Sequence, residues 1–204
     1  MITYLLFGVT YALAAAIQPG PFQTFIISQT LKNGWKKTLP SAVAPILSDI
    51  PVIILVLLLL TNLPDWLLNV LQIGGGLLLL YLAYESFKSF LNFNKLNSIG
   101  TDKKDNTFWK AVLVNILNPN PYIGWSLIMG PLFLKGYHEA TGNGIALIIS
   151  FYVTIVICQA GIIVLFGLAR NLGPKITHII LGIASAGLTG FGVFLLYHGL
   201  LSLR

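Results

Sequence analysis

A short proline element occurs twice in this chain, 100 positions apart, and each copy interrupts a long apolar stretch. Ile17-Gln18-Pro19-Gly20-Pro21-Phe22 reads apolar, amide, Pro, small, Pro, aromatic, and Leu117-Asn118-Pro119-Asn120-Pro121-Tyr122 repeats the order. Proline donates no backbone hydrogen bond, and its ring clashes with the carbonyl one turn earlier in a helix. Hydrocarbon offers no partner for the groups so freed, so they must face a cavity, water or polar side chains. Gln18, Asn118 and Asn120 supply such side chains in place. Helices broken at corresponding positions in two halves of a membrane chain point to a substrate site between them.

The membrane assignment follows from composition. Of the residues, 56% are hydrophobic and 9% are charged, against about 25% charged in an ordinary soluble domain. Such a chain cannot clothe itself in a hydrated surface. The net charge of +6 does not indicate nucleic acid, because the basic residues lie between apolar spans, where they set topology and meet anionic lipid headgroups. The single cysteine, Cys158, leaves no internal disulfide and no cysteine metal site. Ala14-Ala15-Ala16 after an apolar stretch resembles a cleavage site, but no Lys or Arg precedes it. Residues 1–30 are therefore expected to be retained.

Six apolar segments stand out, at roughly 2–30, 38–61, 66–88, 108–134, 143–169 and 175–201, each longer than the ~20 residues that cross a bilayer core. The expected fold is all-α and membrane-integral, one transporter domain over 1–204. Turns are expected at Asn62-Leu63-Pro64-Asp65, with Asp65 as N-cap, at Thr141-Gly142-Asn143-Gly144 and at Asn171-Leu172-Gly173-Pro174. The loops after the first, third and fifth spans hold Lys32, Lys36, Lys37, Lys88, Lys95, Lys103, Lys104, Lys110, Arg170 and Lys175, while the other side holds Lys135 and Arg204. The positive-inside rule puts loops 31–37, 89–110 and 170–175 in the cytoplasm and both termini outside, in a multi-pass protein of the cell membrane.

The third and sixth spans also match, Gly74-Gly75-Gly76-Leu77-Leu78-Leu79-Leu80-Tyr81 with Gly190-Phe191-Gly192-Val193-Phe194-Leu195-Leu196-Tyr197. Three spans per half invert the second half, giving a 3+3 inverted repeat: about 1–91, a cytoplasmic loop at about 92–107, and about 108–204. The glycines suit close helix packing. A homodimer and tight packing within one chain are both open from these small-residue faces.

Asp49, near the middle of the second span in Pro45-Ile46-Leu47-Ser48-Asp49-Ile50-Pro51, is the acidic residue at mid-membrane depth. An intramembrane carboxylate is costly and is a functional candidate by default, facing the protein interior or water. It can hold a substrate amino group or the proton that couples transport to a gradient. The other reading is structural, a partner for backbone freed near Pro45 and Pro51. Gln159 sits mid-way along the fifth span, the repeat partner of the second, and can bond a substrate or a neighbouring helix. Ser41, Ser48 and Asn115 suit interhelical bonding. Glu85 and Lys88 suit ordinary surface pairing, and His138, His178 and His198 lie where interfacial anchoring is usual. Trp35, Trp66, Trp109 and Tyr137 fall at span ends as interface anchors. The candidate substrate-binding set is thus Gln18, Pro19, Gly20, Pro21, Asn118, Pro119, Asn120, Pro121 and Gln159, with Asp49 for ion coupling. No phosphate-cradling loop, nucleophile constellation or metal-ligand spacing is present, so neither an enzyme nor a cofactor is expected.

In these residues the chain resembles the lysine-exporter (LysE-type) translocator family. The likeness rests on six spans, Gly20-Pro21 in the first, Asp49 in the second and Asn118-Pro119 in the fourth. It covers nearly the whole chain. The family's Gly-Asp reads Ser48-Asp49 here, and its Asn-Pro-Lys reads Asn118-Pro119-Asn120. The resemblance implies efflux of amino acids or related small metabolites, driven by an ion gradient, the proton foremost. The expected partners are a small-molecule substrate, membrane lipids and the coupling ion. Two alternatives remain: a cation exporter of the same fold, poorly supplied with ligands, and a non-transporting membrane scaffold docking through residues 92–107; a thiol electron carrier is set aside, because it needs a cysteine pair and Cys158 has no partner unless the protein dimerises through it.

Overall fold

The computed structural model describes residues 1–18, 20–59, 65–91, 106–170 and 173–201, and every element among them is helical. In chain order these are α1 (Ile2–Ile17), α2 (Pro21–Asn33), α3 (Trp35–Thr38), a 3-10 stretch (Leu39–Val43), α4 (Ala44–Leu59), α5 (Asp65–Leu91), α6 (Thr107–Ile116), α7 (Pro119–Gly124), a π turn (Trp125–Met129), α8 (Gly130–Glu139), α9 (Thr141–Ala169) and α10 (Pro174–Leu201). Pro19, residues 62–64 of the expected turn, residues 92–105 of the long loop, Asn171-Leu172 and Arg204 lie outside the described residues.

Among the described residues four stretches are long and apolar enough to cross a membrane: Trp35–Leu58, Asn69–Lys88, Thr141–Ala169 and Lys175–Leu201. A fifth is the pair α1 and α2 if the two count as one span, bent by 64°. The sixth expected span, the fourth in order, is subdivided. Its α6 stops before Asn118, and α7, the π turn and α8 follow as separate pieces. None of these pieces reaches the ~20 residues of a crossing helix.

The prolines account for the subdivision. Pro21 and Pro119 sit in the first turns of α2 and α7, where a missing N–H costs nothing and the ring pre-sets φ. Pro40 lies in the first turn of the 3-10 stretch. Pro131 follows the π turn, within which Gly130 N–H reaches back to Trp125 O. Widening a turn by one residue is a way to absorb a missing donor, and such turns recur at functional sites. At the other end, Ala140 is one extended residue (φ −165°, ψ 132°) and α9 begins at once with Thr141. The turn expected at Thr141–Gly144 is therefore the first turn of a helix.

Small residues make the tightest seams. On α1, Gly8, Ala12 and Ala16 are buried at four-residue spacing, and a Cβ on Gly8 would meet Leu147 O of α9 at 2.6 Å. That stripe lets two backbones approach where lipid supplies no hydrophobic drive. Between α5 and α10 the approach is reciprocal. A Cβ on Gly76 would meet Gly192 O at 2.9 Å, and one on Gly192 would meet Gly76 O at 3.2 Å. Gly75 lies against Leu117 O, where a Cβ would come to 2.5 Å. Gly190, expected to serve the same seam, faces open space, since a Cβ there would meet nothing within 4 Å. The Gly-x-Gly likeness thus marks one packing glycine on α10.

Polar side chains bind the helices further. Ser185 Oγ donates to Ser86 Oγ (2.7 Å), which shares a hydrogen with Ser28 Oγ (2.8 Å), so α2, α5 and α10 are joined by a buried hydroxyl chain. Lys110 of α6 pairs with Glu85 of α5 at 2.6 Å. His178 lies on the Phe90 ring and its Nε2 is 3.0 Å from Phe90 O, which ties α10 to α5. Trp109 and Tyr137 are exposed, as interface anchors should be. Trp35 instead packs inward, filling the space that Gly167 leaves open.

The two glycines separate packing from propensity. Gly76→Ala should destabilise the protein by about 1–3 kcal/mol through overpacking. Gly190→Ala should be neutral or gain roughly 0.5–1 kcal/mol by helix propensity. Unfolding midpoints in detergent check both, and equal shifts would remove the seam from this account.

Candidate functional site

Asp49 is held from two sides. On α4, Ser48, Asp49, Val52 and Val56 are buried at spacings of a helix face. Ser48 Oγ donates to Ala44 O (2.9 Å) and Pro45 O (3.2 Å), taking up carbonyls beside the proline-rich turn. From α6, Asn115 Nδ2 donates to Ser48 Oγ (2.7 Å) and to Asp49 Oδ1 (3.0 Å). From α9, the Tyr152 hydroxyl donates to Asp49 Oδ2 (3.0 Å). Asp49 is 4% exposed, and each of its oxygens has a charge-assisted donor, which is what a buried carboxylate requires.

The two breaks come together here. The cavity beside Asp49 has a volume of about 120 Å³, somewhat below the ~150 Å³ that suffices for a benzene-sized guest. From the first break it is lined by Gln18, Gly20, Phe22 and Gln23, and from the second by Asn118, Asn120, Pro121, Gly124 and Trp125. Tyr11 and Ala15 of α1, Pro45 of α4, Asn115 of α6, Met129, and Phe151, Ile155 and Gln159 of α9 complete it. Gln18 and Asn120 are exposed, and so mark the mouth. Phe151, Ile155 and Gln159 follow one another at four-residue steps, which aims one face of α9 into the space.

The break ends are treated differently. At the second, Asn118 Oδ1 accepts the Asn120 N–H (3.2 Å) and caps α7. At the first, Gly20 is the N-cap of α2 and no side chain caps that end. Gln23 Nε2 donates to Ala16 O (3.1 Å), satisfying a carbonyl near the end of α1.

Of the candidate residues, Gln18, Gly20, Asn118, Asn120, Pro121 and Gln159 line the cavity with Asp49. Pro21 and Pro119 do not. Pro21 shares a crevice with Gly75, Leu79 and Leu195, and Pro119 is buried at the start of α7. Their part is to start helices, because the ring at a first turn is spent on backbone geometry. Pro19 lies outside the described residues. Ser48 and Asn115 do bridge α4 and α6, as interhelical bonding requires, and they do so at the cavity wall.

Several residues of the site carry no sequence signal. Tyr152, Trp125 and Tyr11 stand in apolar runs where aromatics are ordinary, and Gln23 follows the first proline element beside the polar Thr24. Two of the wall's polar atoms are unsatisfied. Gln159 Oε1 is buried without a hydrogen-bond partner, and so is Trp125 Nε1–H. The indole N–H is near enough to Asp49 and Tyr152 to interact with both, without hydrogen-bond geometry to either. A buried acceptor and a buried donor left open in a native wall call for an explanation. Ser41 Oγ is open in the same way but does not line the cavity. Among the described residues no three His, Cys, Asp or Glu side chains converge as metal ligands.

No curated protein and no solved structure matches the chain. The sequence profile of one family does match, that of the LysE type translocator, over residues 13–199. With a match over nearly its whole length, bent and subdivided helices at membrane depth and a polar cavity between them, the chain belongs to the LysE type translocator family.

Proposed function

We propose that this protein is a secondary active exporter of amino acids or related small metabolites, with the substrate held between the two broken helices. The observation that carries the reading is the convergence of both breaks on one cavity with a buried carboxylate in its wall. Membrane chains keep irregular backbone at depth where it borders a cavity, and membrane-buried carboxylates mark ion and substrate paths.

The six-span, 3+3 inverted arrangement is part of this proposal. It is supported by the reciprocal Gly76–Gly192 approach between the third and sixth spans, as expected beside a pseudo-two-fold axis. It is also supported by contacts that exchange under the repeat: α1 packs on α9 as α6 packs on α4. In that scheme the substrate is exposed alternately by rocking of one half against the other, with Asp49 taking up the coupling ion, a proton. The cytoplasmic face is the one bearing Lys32, Lys36, Lys37, Lys110, Arg170 and Lys175, by the positive-inside rule. The glycines at Gly75, Gly76 and Gly192 are occupied within the chain, so a homodimer, if formed, uses other surfaces.

Counterflow in proteoliposomes tests the reading. The wild type is expected to exchange at least one labelled amino acid or close relative. Asp49→Asn keeps the volume and the Asn115 and Tyr152 neighbours, so it should remain folded and lose proton-driven flux. Equal flux in wild type and mutant under an imposed gradient would make Asp49 structural.

Accessibility tests the cavity. Cys158 is half-buried and is the only native cysteine. After Cys158→Ser, a cysteine placed at Gly20 or Asn120 should react with a water-soluble thiol reagent, and block transport when it does. A transported substrate should slow the reaction. Labelling that leaves transport untouched would move the path elsewhere.

A further inference from the structure

The charge of the cavity wall selects among substrates. Among the described residues that line it, Asp49 is the one carboxylic acid and none is Lys, Arg or His. The strongest positive potential is the N terminus of α2, where Gly20, Phe22 and Gln23 face the cavity. A helix end amounts to roughly half an elementary charge. It therefore offsets about half of the ionised Asp49 and leaves the wall net negative. The N terminus of the short α7 contributes less, because Asn118 already caps it.

The open polar atoms point the same way. Gln159 Oε1, on a residue 1% exposed, is an acceptor that lacks a donor. Asp49 spends one lone pair on each oxygen, to Asn115 and to Tyr152, and a carboxylate has about four acceptor sites. An ammonium group carries three donors and no acceptor, which answers a wall whose open acceptors are on Asp49 and Gln159. Aromatic rings of Tyr11, Phe22, Trp125 and Phe151 surround the space and favour a cation further. The donors on the wall are neutral: the buried Trp125 Nε1–H without a partner, the Tyr11 hydroxyl and the amides of Gln18, Asn118, Asn120 and Gln159. They suit a carbonyl or hydroxyl oxygen of the guest, and are poor counterparts for a full negative charge.

We infer that the site takes a small organic monocation, an ammonium compound that carries no free carboxylate, in preference to a zwitterionic amino acid. The inference rests on the transport reading above and narrows its substrate class. A carboxylate in this cavity has no cationic partner and stands near Asp49. An amide or a simple amine has neither cost, and an amide carbonyl can accept from Trp125.

The experiment compares matched series in the purified full chain: leucine, leucinamide and 3-methylbutylamine, then alanine, alaninamide and ethylamine. Each is scored by competition in counterflow and by thermal stabilisation in detergent. The amides and amines should outcompete the free acids at least about tenfold, the least that an unpaired charge costs. Asp49→Asn should erase that preference in the binding readout. Because Asp49→Asn can also weaken binding overall, Gln18→Lys provides a second arm. A cation at the exposed mouth should shift preference toward the free acids. Free acids that compete as well as their amides, in wild type that does transport, overturn this inference and leave the exporter reading intact. Folded wild type that neither binds nor exchanges any member of either series sinks both.

Discussion

Interrupting a helix at membrane depth exposes backbone groups that hydrocarbon cannot satisfy, and much of this structure follows from where those groups find partners. Gln23 reaches back to Ala16 O. Asn118 receives the Asn120 N–H and folds α7 over the break. Ser48 takes the carbonyls of Ala44 and Pro45. Gln23 and Asn118 answer backbone groups at the breaks, and a cavity lies there because the broken ends cannot pack as closely as intact helices. The cavity is thus a consequence of the prolines even though Pro21 and Pro119 do not touch it.

That causal order explains what the sequence could and could not reveal. Proline and its adjoining amides are conspicuous in an apolar run, so Gln18, Gly20, Asn118 and Asn120 were legible as neighbours of one site. Asp49 and Gln159 were legible because a polar group in a spanning segment is costly enough to need a reason. Tyr152, Trp125 and Tyr11 were not, because an aromatic residue in such a segment is equally at home facing lipid, core or cavity. Only the rotation of each helix about its axis decides, and that is set by packing across the chain. The small-residue stripe Gly8, Ala12, Ala16 was hidden by the same alanines that resemble a cleavage site. The glycine pattern misled in part, since Gly190 matches Gly74 in sequence while only Gly76 and Gly192 meet in space. The subdivided fourth span was foreshadowed by Pro119 and Pro121, but the π turn before Pro131 depends on how Trp125 is carried into the wall.

The buried carboxylate is neither loose nor locked. Asn115 and Tyr152 reach it from α6 and α9, both in the second half of the proposed repeat, whereas Asp49 lies in the first. In the proposed rocking, a change in the angle between the halves lengthens these bonds. The ionised form then loses a donor, and protonation or a substrate ammonium can replace it. In the proposed alternating access, a residue bonded across the boundary between the halves links the occupancy of the cavity to its shape. Tyr152 is the sharper half of the link, because its hydroxyl bonds Asp49 directly from the long α9, whereas Asn115 is shared with Ser48.

Asp49 and Gln159 sit on the proposed repeat partners, the second and fifth spans, and both reach the cavity. Two carboxylates there would repel each other or call for a divalent ion, and two amides would leave nothing for a charge to answer. One of each gives a net negative wall with a neutral acceptor beside it. In the proposed repeat the two positions correspond, and the difference between carboxylate and amide at this pair sets the charge of the wall. Charge on a side chain as buried as Asp49 is felt strongly, because its surroundings screen it less than bulk water does. The departure from symmetry at this pair is therefore the feature of the chain that most restricts what the cavity can hold.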